Sequence, residues 1–86
     1  MKNRAYVIES SGRKYDLDLR PTLLEAQKIV GGYIEILSVR GTRKSLIVNE
    51  DGRPLKLNPN IEASRQFGVP LFGNVIVMEG WKTVKG

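Results

Sequence analysis

Two residue types are missing from this 86-residue chain, which has no cysteine and no histidine. Without cysteine there is no disulfide scaffold, no thiolate zinc site and no sulfur nucleophile. Without histidine there is no imidazole base, no His-dependent triad and no imidazole metal ligand. Catalysis would have to rest on Asp, Glu, Lys, Tyr or Ser. Aromatic residues are few, at 7%, and no apolar run approaches the roughly 18 residues that a membrane-spanning helix needs. The opening Met1-Lys2-Asn3 leads straight into a strand-like run containing Glu9, which does not read as a secretory signal. These absences point to a cytoplasmic protein that does not meet the membrane.

What is present is the composition of an ordinary globular domain, with 41% hydrophobic and 27% charged residues. At this length we expect a single domain over residues 1–86, burying roughly 60–65% of its unfolded surface, so the core is thin. The net charge is +5 and the pI about 9.8. That balance favours anionic partners such as a nucleic acid, a nucleotide or an acidic protein surface.

Arg4 to Glu9 ("RAYVIE") is rich in β-branched and aromatic residues and predicts a strand. Ser10-Ser11-Gly12 supplies a turn. Lys14 to Leu19 alternates, with Tyr15, Leu17 and Leu19 on one face, completing an N-terminal hairpin. Thr22 and Glu25 fit a capping box. It opens a helix to Val30 that buries Leu23, Ala26 and Val30, widened by Leu24, Gln27 and Ile29.

Gly31-Gly32 follows that helix. A phosphate-cradling glycine loop would sit before a helix N-terminus, where N–H groups are unpaired and the dipole is positive. This pair follows a C-terminus, and no GxGxxG or Walker pattern surrounds it. It reads as a helix stop, and no cofactor motif is present.

Tyr33–Val39 and Ser45–Asn49 predict two more strands, joined by "RGTRK". Glu50-Asp51-Gly52-Arg53 reads as a turn and not as a calcium loop, because the ligand spacing and terminal Glu are missing. Pro54–Leu57 reads as a short extended piece. Asn58 or Asn60 caps a second helix that stops at Gly68. "NVIVME" is apolar on both faces, as a central covered strand would be. The expected fold is α+β, a single sheet in ββαββαβ order with one main and one short helix, resembling the β-grasp (ubiquitin-like) arrangement.

Chemistry could sit at three places. Asp16 and Asp18 lie two apart on one strand, so both carboxylates share a face; a solvated outer face explains them as well as catalysis does. The loop Arg40-Gly41-Thr42-Arg43-Lys44 is the densest basic segment. Arg40, Thr42, Arg43 and Lys44 are the candidate anion- or partner-binding residues, the cations for charge and Thr42 as a hydroxyl donor. It lacks interleaved aromatics and any RNA- or DNA-binding motif. Tyr6, Tyr15 and Tyr33 read as packing residues. Phe72, in the unusually apolar loop "FGVPLFGN", and Trp81 are candidate interface residues, Trp81 alternatively folding back over the sheet.

"TLLEAQKIVGGYIEIL", "LIVNEDGRPLKLNPNIEAS" and "GVPLFGNVIVM" together resemble a family of small bacteriophage and mobile-element proteins known only as a domain of unknown function. The VGGYIE block, Val30 to Glu35, carries most of the resemblance. The Asn-Glu-Asp-Gly turn and Asn-Pro-Asn helix start support it. The resemblance implies a phage or plasmid setting and no catalytic residues. In that setting three readings compete. One is a non-catalytic accessory protein binding a host protein or sequestering a small anionic ligand such as a signalling nucleotide, with a homo-oligomer possible. The second is a nucleic-acid-binding accessory using the basic loop. The third, ranked last, is an enzyme using Asp16 and Asp18.

Overall fold

The computed structural model describes residues 2–86. Seven elements follow one another: β1 (Arg4–Ile8), β2 (Lys14–Leu17), α1 (Leu23–Val30), β3 (Ile34–Ser38), β4 (Lys44–Asn49), α2 (Ile61–Phe67) and β5 (Val75–Glu79). The strands form one antiparallel sheet in the order β2-β1-β5-β4-β3. The fold is thus mixed α+β on a single sheet.

The β-grasp expectation needs correction in its strand pairing. A ubiquitin-like sheet joins its first and last strands in parallel, whereas here β1 and β5 run antiparallel, Arg4 opposite Glu79 and Ile8 opposite Val75. The connections explain this. The α1 crossover makes β2 and β3 point the same way, so their hairpin partners β1 and β4 also agree. Chain direction in β5 then depends on residues 50–74. That segment leaves β4 and re-enters the sheet at the same end, with Ile47 opposite Ile76, so β5 runs against both neighbours.

The two sheet faces are covered by one helix each, instead of a single face by one main helix. On the α1 side, Ala26 and Val30 pack on Ala5, Val7, Ile47, Ile76 and Met78. On the α2 side, Ala63 and Leu71 pack on Ile8, Leu46, Val48, Val75 and Val77. Central β5 is buried on both faces from Val75 to Met78, as its two-sided apolar pattern requires.

Helix α1 begins with the full capping box, the Glu25 N–H donating to Thr22 Oγ1 and the Thr22 N–H to Glu25 Oε1. It ends where Gly31 turns left-handed at φ 81°. Its buried stripe is narrower than expected. Leu24 lies roughly 160° around the helix from Ala26 at 100° per residue and is 65% exposed; Leu23, at the stripe's margin in the first turn, is exposed as well.

Three further expectations change. β2 stops at Leu17 and leaves Leu19 exposed, since the chain departs the sheet edge to reach the cap at Thr22. Tyr33 precedes β3 and is 71% exposed, so it packs in no core. Pro54–Leu57 is not extended. The Leu55 N–H donates to Asp51 O and the Lys56 N–H to Arg53 O, coiling the segment into a turn that Lys56 exits at φ 55°.

Side-chain amides from three asparagines fasten the layers. Asn49 donates from Nδ2 to Val30 O at 3.1 Å, tying β4 to the end of α1, and accepts the Asp51 N–H at 2.7 Å. Asn74 donates to Ile29 O and accepts the Ser10 N–H. Asn60, fully buried, donates to both Ile8 O and Gly73 O at 2.8 Å and accepts the Ala63 N–H as cap of α2. A polar group this deep is tolerated because every hydrogen-bonding atom it presents is paired.

Candidate functional site

Among the grooves on the surface of the described residues are four of about 190, 280, 370 and 480 Å³. The most voluminous of the four lies where the β3–β4 hairpin meets the C-terminal end of α2. Its lining is Leu37, Ser38, Val39, Arg40, Leu46, Phe67 and Val69. Strand alternation puts Leu37 and Val39 on the α2 side together with Leu46, which lies opposite Leu37 across the ladder. Helix α2 is seven residues long and leaves this corner of the sheet partly open. Leu37, Val39 and Phe67 are only half-buried, and Val69, beyond the helix stop at Gly68, is exposed.

The basic loop forms one end of this groove, and its candidate residues play different parts. Arg40 is exposed and lines the groove. Lys44 opens β4 on the same face as Leu46, its Nζ 6.0 Å from the centroid of the Phe67 ring, so its charge stands over the apolar wall. Thr42 is not a free donor. Its hydroxyl donates to Val39 O at 2.7 Å and accepts the Lys44 N–H at 3.0 Å, closing the hairpin tip. Arg43 turns away from the groove to donate to Asn3 Oδ1 at 3.2 Å, and its carbonyl accepts the Gly80 N–H. None of Arg40, Arg43 and Lys44 forms an ion pair among the described residues. Two of the four candidates, Arg40 and Lys44, therefore address the groove; Thr42 closes the hairpin tip and Arg43 is engaged elsewhere.

Phe72 and Trp81 do not join them. Phe72 lines the smallest of these four grooves beside Gly52, with the Arg53 guanidinium 5.2 Å from its ring centroid. Trp81 folds back against the α1-side core together with Val84, and Arg20 lies over its ring at 5.8 Å. The tail beyond it is held where the Lys85 N–H donates to Pro21 O.

Asp16 and Asp18 both line the groove beside Trp81, but Asp18 lies past the end of β2, and Asp16 pairs with Arg4 at 3.0 Å. That hydrogen bond raises the Arg4 pKa above its ordinary value. The Asp16 carboxylate is thus engaged in an ion pair on the surface and does not stand paired with Asp18. Among the described residues no group of three or more acidic side chains is gathered to hold a metal ion.

A family model described as a domain of unknown function, DUF3846, matches residues 1–84. The chain belongs to the DUF3846 family. No curated protein matches it, and no solved structure does. In this DUF3846 chain the motif blocks have structural work. Gly32 of the VGGYIE block faces the Asn49 amide so closely that a Cβ there would lie 3.0 Å from Nδ2. Asn49 opens the Asn-Glu-Asp-Gly turn, and Asn60 closes Asn-Pro-Asn. The first two blocks therefore meet at the end of α1, the third clasps the start of α2, and the groove lies outside them.

Sequence reasoning found the cations but not the apolar wall. Leu37, Val39 and Leu46 look like any buried strand residues. The one local signal was the apolar stretch Phe67 to Asn74, whose first residues supply Phe67 and Val69.

Proposed function

We propose that this DUF3846 chain is a small, non-catalytic accessory protein of a phage or mobile element, acting in the bacterial cytoplasm by binding a partner at the β3–β4 groove. The partner is a host protein or a small anionic ligand, and the consequence is inhibition or sequestration. The observation that carries this reading is an apolar groove of about 480 Å³ with Arg40 in its lining and Lys44 over its Phe67 wall, neither ion-paired among the described residues. Apolar walls with a few convergent charges are what binding sites use. The engaged carboxylate of Asp16 lends no support to an enzyme. That no helix among the described residues is long and apolar enough to cross a membrane agrees with a cytoplasmic setting.

The test is native mass spectrometry of protein purified at low salt from expressing cells, wild type beside an Arg40→Glu/Lys44→Glu variant. A discrete bound mass on the wild type that is lost from the folded variant is expected. A bound mass retained by the variant overturns the groove as the site.

The basic tip supports a second reading, in which Arg40, Arg43 and Lys44 contact nucleic-acid phosphates. That reading requires log K to fall with log salt by about 0.9 per phosphate contact on duplex DNA. The same purification would then yield heterogeneous nucleic acid that washes off as salt is raised.

A further inference from the structure

We infer that the occupant of this groove is an extended protein segment that adds as a further strand to β3, with apolar side chains on the α2 side and a carboxylate reaching Arg40 and Lys44. The inference rests on the groove reading above and adds the partner's class and its mode of attachment.

β3 is an edge strand, and the ladder shows which of its backbone groups are free. The Val39 N–H donates to Lys44 O, and the Glu50 N–H to Tyr33 O. Hydrogen-bonded pairs alternate in an antiparallel ladder, so Tyr33, Glu35, Leu37 and Val39 turn their backbone groups toward β4. Ile34, Ile36 and Ser38 turn theirs outward, without a partner strand among the described residues.

The two edges of the sheet are guarded differently. β2 has four residues, and its charged side chains are engaged, Lys14 with Glu62 and Asp16 with Arg4. Charges and short length are what keep a strand edge from pairing. β3 carries Ile, Glu, Ile, Leu and Ser, with no lysine or proline and, among the described residues, no ion pair of its own.

The groove lies along this open edge. Ser38 has its side chain on the opposite face by alternation yet still lines the groove with Leu37, Val39 and Arg40, so the backbone edge forms part of its wall. A strand laid there would place alternate side chains against Leu37, Val39 and Val69. In strand addition, main-chain bonds supply affinity and the adjoining pocket supplies specificity. Arg40 and Lys44 at one end, on a chain of net charge +5, select an acidic segment over a second copy of the same basic chain.

The experiment pans a random peptide display library on the wild-type protein and measures the enriched peptides against two variants. Ser38→Pro deletes an outward N–H and blocks the edge, breaking no bond to β4; Arg40→Glu/Lys44→Glu reverses the rim. The expected result is enrichment of peptides alternating apolar residues with acidic ones at one end. Ser38→Pro should weaken them about tenfold or more, the cost of one or two main-chain hydrogen bonds. Bound peptide should slow amide exchange at Ile34, Ile36 and Ser38. Peptides that tolerate Ser38→Pro but not the rim reversal would overturn strand addition and leave the groove reading standing. Peptides that tolerate both variants, or no enrichment, would overturn the inference. So would a wild-type dimer in sedimentation that Ser38→Pro converts to monomer, since the edge would then belong to a second copy.

Discussion

Replacing Asn60 with alanine removes three hydrogen bonds from the point where α2, β1 and the loop before β5 converge. The Ala63 N–H loses its cap, which costs about 1 kcal/mol. Ile8 O and Gly73 O lose donors held at 2.8 Å, and a buried carbonyl left short of a partner costs about 1–2 kcal/mol. The sum is about 3–5 kcal/mol, against a total stability of about 4–13 kcal/mol for a domain of this length. Urea unfolding followed by circular dichroism should show the midpoint falling by roughly 3–5 M at a slope near 1 kcal/mol/M. Asn60→Asp sharpens the reasoning, because it keeps the cap acceptor but turns carboxylate oxygen toward two carbonyl oxygens. Burial beside them raises the folded-state pKa of that new carboxyl above its unfolded value. The destabilisation is then complete at neutral pH and recedes as pH falls through the raised value. If Asn60→Ala cost no more than the loss of an exposed cap, the view of Asn60 as a three-way clasp would be refuted.

Thr22→Ala should cost about 1 kcal/mol in the same assay, the loss of an N-cap. The Thr22 backbone N–H, and secondarily its side chain, lower the Glu25 pKa below its ordinary value of 4.5. Its contribution is therefore present above that value and lost as pH falls through the lowered one; in Glu25→Gln that acid-range loss should be missing from stability measured against pH. Lys56→Gly should raise stability by about 0.5–1 kcal/mol, because a left-handed backbone costs a lysine about 1–2 kcal/mol that glycine avoids. Thermal unfolding showing a lower midpoint would contradict this. Gly32→Ala should destabilise by about 1–2 kcal/mol through crowding at Asn49, and Asn49→Ala in the same chain should relieve part of that crowding in a double-mutant cycle.

Features set by neighbours in the chain were legible in the sequence. Thr22, Glu25 and Gly31 bound α1 through contacts within one turn, so its limits follow from the residues alone. The choice between Asn58 and Asn60 as cap of α2 did not, because it is decided by the reach of the Asn60 amide to Ile8, far back in the chain. The direction of β5 was equally hidden, since "VIVME" has the same alternation read either way along a ladder. Pro54–Leu57 misled because a Leu-x-Leu spacing looks extended while the local bonds from Leu55 and Lys56 coil it. The cations of the candidate site were visible as a run. Its apolar wall was not, because whether Leu37 and Val39 lie under a helix or beside its end depends on how far α2 reaches over the sheet.

The place of β5 between β1 and β4 also governs how the chain can reach this fold. The β1–β2 and β3–β4 hairpins are each local, but β5 alone joins them in the sheet. Until residue 79 has left the ribosome, the two hairpins have no strand to join them, and β1 and β4 each present an edge that will later be interior. Such non-local closure slows folding and lengthens the time during which those edges can pair wrongly. We therefore expect the chain to fold only after β5 is released, and to depend on dilution or chaperones in that interval more than a helical protein of its size would.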